Sequence, residues 1–399
     1  MKPGCVVVCT SSARTPLPRT TLQAAGLFDA PTIDDRGGRM TSKPTPEGTH
    51  VKPTPEDLFF HHDVCVETRW ENLYGRGYLT PASLFYIRNH GPTPIIDAQT
   101  WRLSVEGPGV ENPLSISYDE LLRMPSVTVT RFIECAGNGR IFFKEYQGEM
   151  PKGRPWRYGS YAVAEWTGVP LSEILMRAGI KPTAVDVMPT GLDEAAVERP
   201  MSVAKAMEPD TVVAYAMNGD LIPPDHGFPA RVVVPGWVGV NSIKWVGKIY
   251  VAEEPIYVMR NTEEYVLEGP DFPPAPPAWG PILTTTPVRS GIAMAWPGTL
   301  QAGTQAIRGF AWSGHGSISR VEYSLDDGKK WADACIQEPN IPKGGCRWEF
   351  IWNATPGEHT ITMRATDSAG NTQPEPDAMK WNERGYDFWA AVPHPVTVV

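Results

Sequence analysis

Arg131-Phe132-Ile133-Glu134-Cys135-Ala136-Gly137-Asn138-Gly139-Arg140 is the stretch on which the reading of this chain turns. With Val127 and Val129 ahead of it, Phe132 and Ile133 make a short run rich in β-branched and aromatic residues, which predicts a strand. The strand breaks into small, turn-forming residues, Ala136 to Gly139, with a single cysteine at the break. A thiolate at a strand end, on backbone thin enough for a large ligand to approach, is how a protein offers sulfur to a metal or an electrophile. Arg131 and Arg140 on either side favour the thiolate and attract anions. The alternative is that Cys135 is a buried small apolar residue, as most free cysteines are. These residues alone leave both readings open.

A chain of 399 residues is too long for one simple core and suggests two domains. Apolar residues at 41% and charged residues at 20% place it among ordinary globular proteins. Its 41 prolines and 37 glycines point to turns and short strands rather than long helices. A formal charge of −9 argues against nucleic-acid binding, which needs a basic face. It leaves room for a small anionic substrate, because a few arginines in one pocket reverse the field locally. The cysteines form no zinc-like cluster, and Cys335 and Cys346 are spaced so that a hairpin can pair them in a disulfide. No apolar run is long enough to span a membrane, and no signal-peptide core or twin-arginine start is present. A cytoplasmic location is the expectation, with the periplasm left open.

Residues 1–50 read as a disordered tail, dominated by Pro, Thr, Ser, Gly and Asp without hydrophobic periodicity. Structured sequence begins near Leu58. Leu84 to Pro92 reads as a strand ending in a Gly-Pro turn, and Trp101 to Gly107 alternates as a half-exposed strand. Ser117 to Leu122 is a short helix with a capping box, Ser117 followed three residues later by Glu120. Lys144 to Tyr158 reads as a loop, and Leu171 to Ala178 as a helix ended by Gly179. Strands are expected around Val212–Met217, Ala230–Val234 and Ile243–Val251. This mixed order predicts an α+β domain over residues 51–269, and without a G-x-G-x-x-G or Walker sequence it argues against nucleotide cofactors. A proline-rich linker, 270–287, leads to residues 288–399, where strands and turns alternate as in a small immunoglobulin-like β-sandwich.

Three stretches then occur in order: Phe85-Tyr86-Ile87-Arg88-Asn89-His90, the Glu134 to Arg140 loop, and Asp225-His226-Gly227-Phe228-Pro229-Ala230-Arg231 running on to Gly236. Together they closely resemble the molybdopterin-binding domain of the sulfite oxidase family. The linker and β-sandwich resemble that family's dimerisation domain. The resemblance implies molybdenum held by molybdopterin, with Cys135 as the protein's metal ligand. It suits the residue, since a thiolate is the soft ligand that a redox transition metal accepts. Bulky cofactor beside the backbone would also account for the glycines of the loop.

By the same resemblance Tyr86, Arg88, His90, His226, Arg231, Lys244 and Glu264 match cofactor-binding positions. Arg231 has an argument of its own: it lies in an apolar strand, where an unpaired charge is costly, so it needs an anionic partner. Arg88, Arg140, Trp156 and Tyr265 match the substrate pocket. Arg384, in Trp381-Asn382-Glu383-Arg384-Gly385, matches an arginine that reaches an active site, in dimeric relatives that of the neighbouring subunit. The resemblance implies oxidation of sulfite to sulfate, a homodimer, and an external electron acceptor, either a cytochrome or oxygen. The aromatic loop Phe142 to Gln147 looks more like that of stand-alone bacterial members, and fifty tail-like residues cannot fold as a haem domain. Many members carry two consecutive arginines after the loop asparagine; here the first is Gly139, which weakens anion binding or makes room for another substrate. Sulfane-sulfur dehydrogenase, nitrate or sulfoxide reductase, and a binding protein retaining the scaffold are the rival readings.

Overall fold

The computed structural model describes residues 48–399, so the tail reading lies outside the described residues up to residue 47. The cysteine strand forms as expected over Val127–Glu134 and pairs antiparallel with Tyr161–Pro170 along its whole length, Val127 opposite Gly168 and Glu134 opposite Tyr161. Val212–Met217 lies next, and carries both Asp220–Leu221 and Arg231–Val233. A second sheet runs in the order Leu114–Ser117, Arg102–Glu106, Val246–Ala252, Asp186–Gly191, Met201–Ser202, with one parallel pairing between Arg102–Glu106 and Val246–Ala252. Leu103, Val105, Ile249 and Val251 face Val213 and Val232 in one core. Helix Leu171–Arg177 closes it with Leu171, Ile174 and Leu175, the spacing of a single helical face.

Two further sheets make the expected β-sandwich. One runs Arg289–Ile292, Gly303–Trp312, Gly345–Ala354, Cys335–Ile341 and the other Gly298–Leu300, Pro393–Val398, Gly357–Asp367, Ile318–Ser324, Ala332–Asp333. Strand Gly303–Trp312 serves two cores, because successive side chains point to opposite faces. Ile307 and Ala311 enter the sandwich with Trp348 and Ile361. Phe310 and Trp312 point the other way, onto Trp70 and Tyr161, and Trp312 stacks on Tyr161 at 3.9 Å.

Local expectations fared unevenly. The capping box is present, with Ser117 N–H donating to Glu120 and Glu120 N–H to Ser117. Leu84 to Pro92 is not a strand: only Ile87 bridges, to Val66, and the preceding Ala82–Leu84 is a 3-10 turn. The start of the expected Lys144–Tyr158 loop is helical, within Ile141–Gln147. Cys335 and Cys346 stand opposite Glu349 and Ala311 across the sheet, so the register does not pair them with each other.

The cysteine loop is tied to the sandwich by a buried ion pair. Glu134 and Arg289, each 1% exposed, lie 3.0 Å apart. Trp312 Nε1 and Asn138 Nδ2 also donate to the Glu134 carboxylate, at 2.8 and 2.7 Å, and Arg289 donates to the Asn138 carbonyl. Arg289→Ala leaves a buried carboxylate without its counter-charge, and is expected to cost about 3–5 kcal/mol of unfolding free energy. Urea unfolding checks this; a loss below about 1 kcal/mol would contradict the tie.

Candidate active site

The strand end places Cys135 at the floor of a cleft. Its N–H donates to the Ser160 carbonyl at 2.9 Å, and its carbonyl accepts from Asn138 N–H at 2.9 Å, closing the turn. Asn138 in turn accepts from the Ser160 hydroxyl at 2.8 Å. Gly239 lets the neighbouring loop close in, since a Cβ there would stand 2.7 Å from the Glu134 carbonyl. Cys135 is 8% exposed, and its sulfur makes no disulfide.

Tyr86, Arg88, His90 and Tyr265 line the same cleft, as do His226, Arg231 and Lys244. Arg88 donates to the Asn89 carbonyl at 2.8 Å and to the Tyr265 hydroxyl at 3.0 Å, and that hydroxyl lies 3.5 Å from His90 Nε2. Arg231 donates to the carbonyls of His226 and Ser242, both at 2.9 Å, while its Nε is buried without a partner. Lys244 Nζ donates to the Asp225 carbonyl at 2.8 Å and to the Asn89 side chain. Among the described residues none of Arg88, Arg231 and Lys244 is ion-paired to a carboxylate.

The electrostatics follow from that lack. Burial, with Arg231 close by, lowers the Lys244 ammonium to about 7, and burial lowers Arg231 to about 10. Burial and the surrounding cations hold His90 and His226 well below the ordinary histidine value, hence neutral. Asp225, fully buried nearby, accepts from Val51 N–H at 3.0 Å, Lys52 N–H at 2.7 Å and the Thr93 hydroxyl at 2.6 Å. Asp193 also lines the cleft, with Oδ2 buried and unpartnered. A positive cleft with one orphaned donor and one orphaned acceptor suits an anion that also carries hydrogen-bonding edges.

The other expected site residues stand outside the cleft lining. Arg140 donates from Nε to the Arg384 carbonyl at 2.6 Å and from Nη1 to the Arg154 carbonyl at 2.8 Å. Its guanidinium is caged by glycines: Cβ atoms at Gly137 and Gly153 would stand 2.4 and 2.8 Å from it. Gly137 thus leaves room for this arginine, and Gly139 for Phe388. Trp156, 1% exposed, packs edge-on against Tyr86 and His62. Glu264 pairs with Arg260 at 2.7 Å, and Arg384 reaches the Glu263 carbonyl at 3.4 Å within the same chain. Arg131 pairs with Asp210 at 3.0 Å, away from the loop's chemistry.

Sequence reasoning missed Lys52, Asp193, Arg199 and Tyr386. Lys52 Nζ reaches the carbonyls of Ala82 and Phe85 and lies 3.3 Å from His226 Nε2, although it follows directly on the stretch read as tail. Asp193 sits in an ordinary turn sequence. Arg199, 1% exposed, donates to the Leu283 carbonyl at 2.7 Å and lies over the Tyr265 ring. No local pattern marks these positions; only the folding of distant segments brings them together.

Residues 90–258 match the family described as oxidoreductase molybdopterin binding domain, and residues 284–392 match the Mo-co oxidoreductase dimerisation domain. Mitochondrial sulfite oxidase of Rattus norvegicus is 36% identical over 332 residues, covering 78% of this chain and 60% of that protein. The chain thus spans about three fifths of the length of this mammalian relative. Sulfite oxidase of Gallus gallus is 35% identical over 333 residues, covering 78% of this chain and 72% of that protein. The solved structure of the sulfane dehydrogenase SoxCD from Paracoccus pantotrophus is similar with a TM-score of 0.73 and 28% identity, over 90% of each chain. With a cysteine at the floor of a buried cationic cleft, and with relatives matched along most of its length, the chain belongs to the sulfite oxidase family of molybdopterin-binding oxidoreductases.

Proposed function

We propose that this protein oxidises sulfite to sulfate, taking the added oxygen from water and passing two electrons and two protons outward for each sulfite. The observation that carries the reading is that Arg88, Arg231 and Lys244 line one cleft with Cys135 and, among the described residues, have no carboxylate ion-pair partners. The residues present fit the family's molybdenum cofactor. The unpartnered Arg231 Nε and the lowered Lys244 suit its phosphate, and the unpartnered Asp193 Oδ2 suits an N–H edge of the pterin. Cys135 offers the thiolate, and the bound metal supplies oxygen-atom transfer with two-electron redox chemistry.

The chain's own residues then bind and orient. Arg88, joined to the Tyr265 hydroxyl, presents a fixed cation and a phenol to a small oxyanion beside Cys135. His90 and His226, held neutral, can accept hydrogen bonds without adding charge. Tyr86, with Trp156 packed behind it, walls off water. A second copy of the chain and an electron-accepting cytochrome or oxygen are the partners of this reading, the first supported by the match to a dimerisation domain. A sulfane-sulfur dehydrogenase is the second reading, supported by the likeness to SoxCD over 90% of each chain.

Steady-state assays of metal-replete protein with sulfite, a sulfane-sulfur donor, nitrate and methionine sulfoxide separate these substrates. Sulfite-dependent reduction of cytochrome c is the expected outcome, and absence of sulfite turnover would refute it. Cys135→Ala is expected to abolish turnover with circular dichroism and unfolding midpoint little changed; retained turnover would remove Cys135 from the metal.

Lys244 gives an independent test with a definite sign. Its folded value near 7 lies below the ordinary 10.5, so between these pH values the unfolded chain holds a proton that the folded apoprotein lacks. Apoprotein stability should therefore rise with pH across that window, and Lys244→Gln should flatten the rise in urea unfolding at pH 7 and pH 9. The same variant should hold the cofactor about tenfold more weakly, the worth of one hydrogen bond to a charged group, read as molybdenum per protein after dialysis.

A further inference from the structure

Tyr265 is held in an uncommon backbone state. Its φ is 54°, in the left-handed region that a bulky aromatic residue rarely adopts, so its surroundings must hold it there. The surroundings form a series of ring contacts. The Arg199 guanidinium carbon lies 5.7 Å from the Tyr265 ring centroid. Tyr265 and Tyr386 stack with centroids 5.4 Å apart and planes 9° from parallel, and the Arg140 guanidinium lies 5.3 Å from the Tyr386 ring. Two cations therefore flank two stacked aromatic rings, each contact favourable to the next.

Each member of the series is fixed from outside. Asn382 grips the Tyr386 backbone from both sides, donating to its carbonyl at 2.9 Å and accepting from its N–H at 2.8 Å. The next residue, Asp387, donates from its N–H to the carbonyl of Ala136, the neighbour of Cys135. Arg140 is locked by its carbonyl acceptors and its cage of glycines, one of them Gly385, beside Tyr386. On the far side Arg199 holds the Leu283 carbonyl, and Leu283 N–H donates to the Tyr265 carbonyl at 2.9 Å. Only Tyr265, at the centre, turns its hydroxyl into the cleft, onto Arg88 and His90.

We infer that Tyr386 is a positioning residue for the substrate site: its ring, wedged against Tyr265, keeps the Tyr265 hydroxyl on Arg88 and so sets the affinity for the oxyanion. Arg199 and Arg140 brace the two ends of the same series. The inference rests on the anion reading of the Arg88–Tyr265 pair. It assigns the work to the Tyr386 ring and none to its hydroxyl, which makes no hydrogen bond to the protein among the described residues.

The test uses the full chain with its cofactor retained, and sulfate as an unreactive oxyanion in isothermal titration. Tyr386→Leu, which removes the ring, is expected to weaken sulfate binding about tenfold, the worth of one charge-assisted contact. Tyr386→Phe, which keeps the ring, should bind within about twofold of the wild type. Thermal unfolding of both variants confirms that folded protein is compared. An unchanged affinity in Tyr386→Leu, a Tyr386→Phe loss as large as that of Tyr386→Leu, or a wild type that does not bind sulfate would each overturn the inference. Sulfite turnover by the wild type is read separately. If it is absent while the Leu and Phe variants still differ in sulfate affinity, the substrate assignment falls and the positioning role stands.

Discussion

The buried pair of Glu134 and Arg289 is the constraint on which the arrangement of the site depends. Glu134 ends the cysteine strand, Arg289 begins the first strand of the sandwich, and neither has water to replace a lost partner. Burial pushes the Glu134 carboxyl up, while Arg289, the Trp312 indole and Asn138 oppose it. A buried ion pair adds little net stability compared with apolar packing, but it tolerates only one geometry. That geometry fixes Asn138, Asn138 fixes Ser160, and Ser160 accepts the N–H of Cys135. The position of the sulfur is thus set from the sandwich side as much as from its own sheet.

The second organising feature is a concentration of positive charge that the protein leaves uncompensated. Asp225, the buried carboxylate whose backbone carbonyl accepts from Lys244, is occupied by backbone N–H groups and a hydroxyl. Lys244 and Arg231 therefore sit without an ion-paired carboxylate in a region of low dielectric, and burial lowers the pKa of both. A protein tolerates such unpaired burial where a ligand relieves it, which is why the cleft is more informative than any single residue in it.

Much of the fold was legible because alternation and local hydrogen bonding are written within a few residues. Val212–Met217 forms over the expected span, and Ser117 with Glu120 marks a helix start unaided. Strand Pro393–Val398 was missed, since Pro393 and Pro395 argue against a ladder; its parallel partner begins only at Val396, beyond both prolines. Within the site, Cys135 and Arg231 were readable from type and context. Arg140 was placed in the pocket by the family resemblance; its guanidinium donates to the carbonyls of residues 154 and 384 and stands outside the cleft lining. The pairing of Tyr265 with Tyr386 joins segments more than a hundred residues apart, and no local pattern carries it.

The arm formed by Thr49 to Lys52 also sets an order of assembly. Thr49 accepts from Thr93 N–H, Val51 and Lys52 grip Asp225, and Lys52 reaches past His226 to the Phe85 carbonyl. This early segment can therefore dock only after residue 225 has left the ribosome. Its hold is polar, backbone N–H groups on the buried Asp225 carboxylate and the Lys52 ammonium on backbone carbonyls, so each end depends on a partner far along the chain.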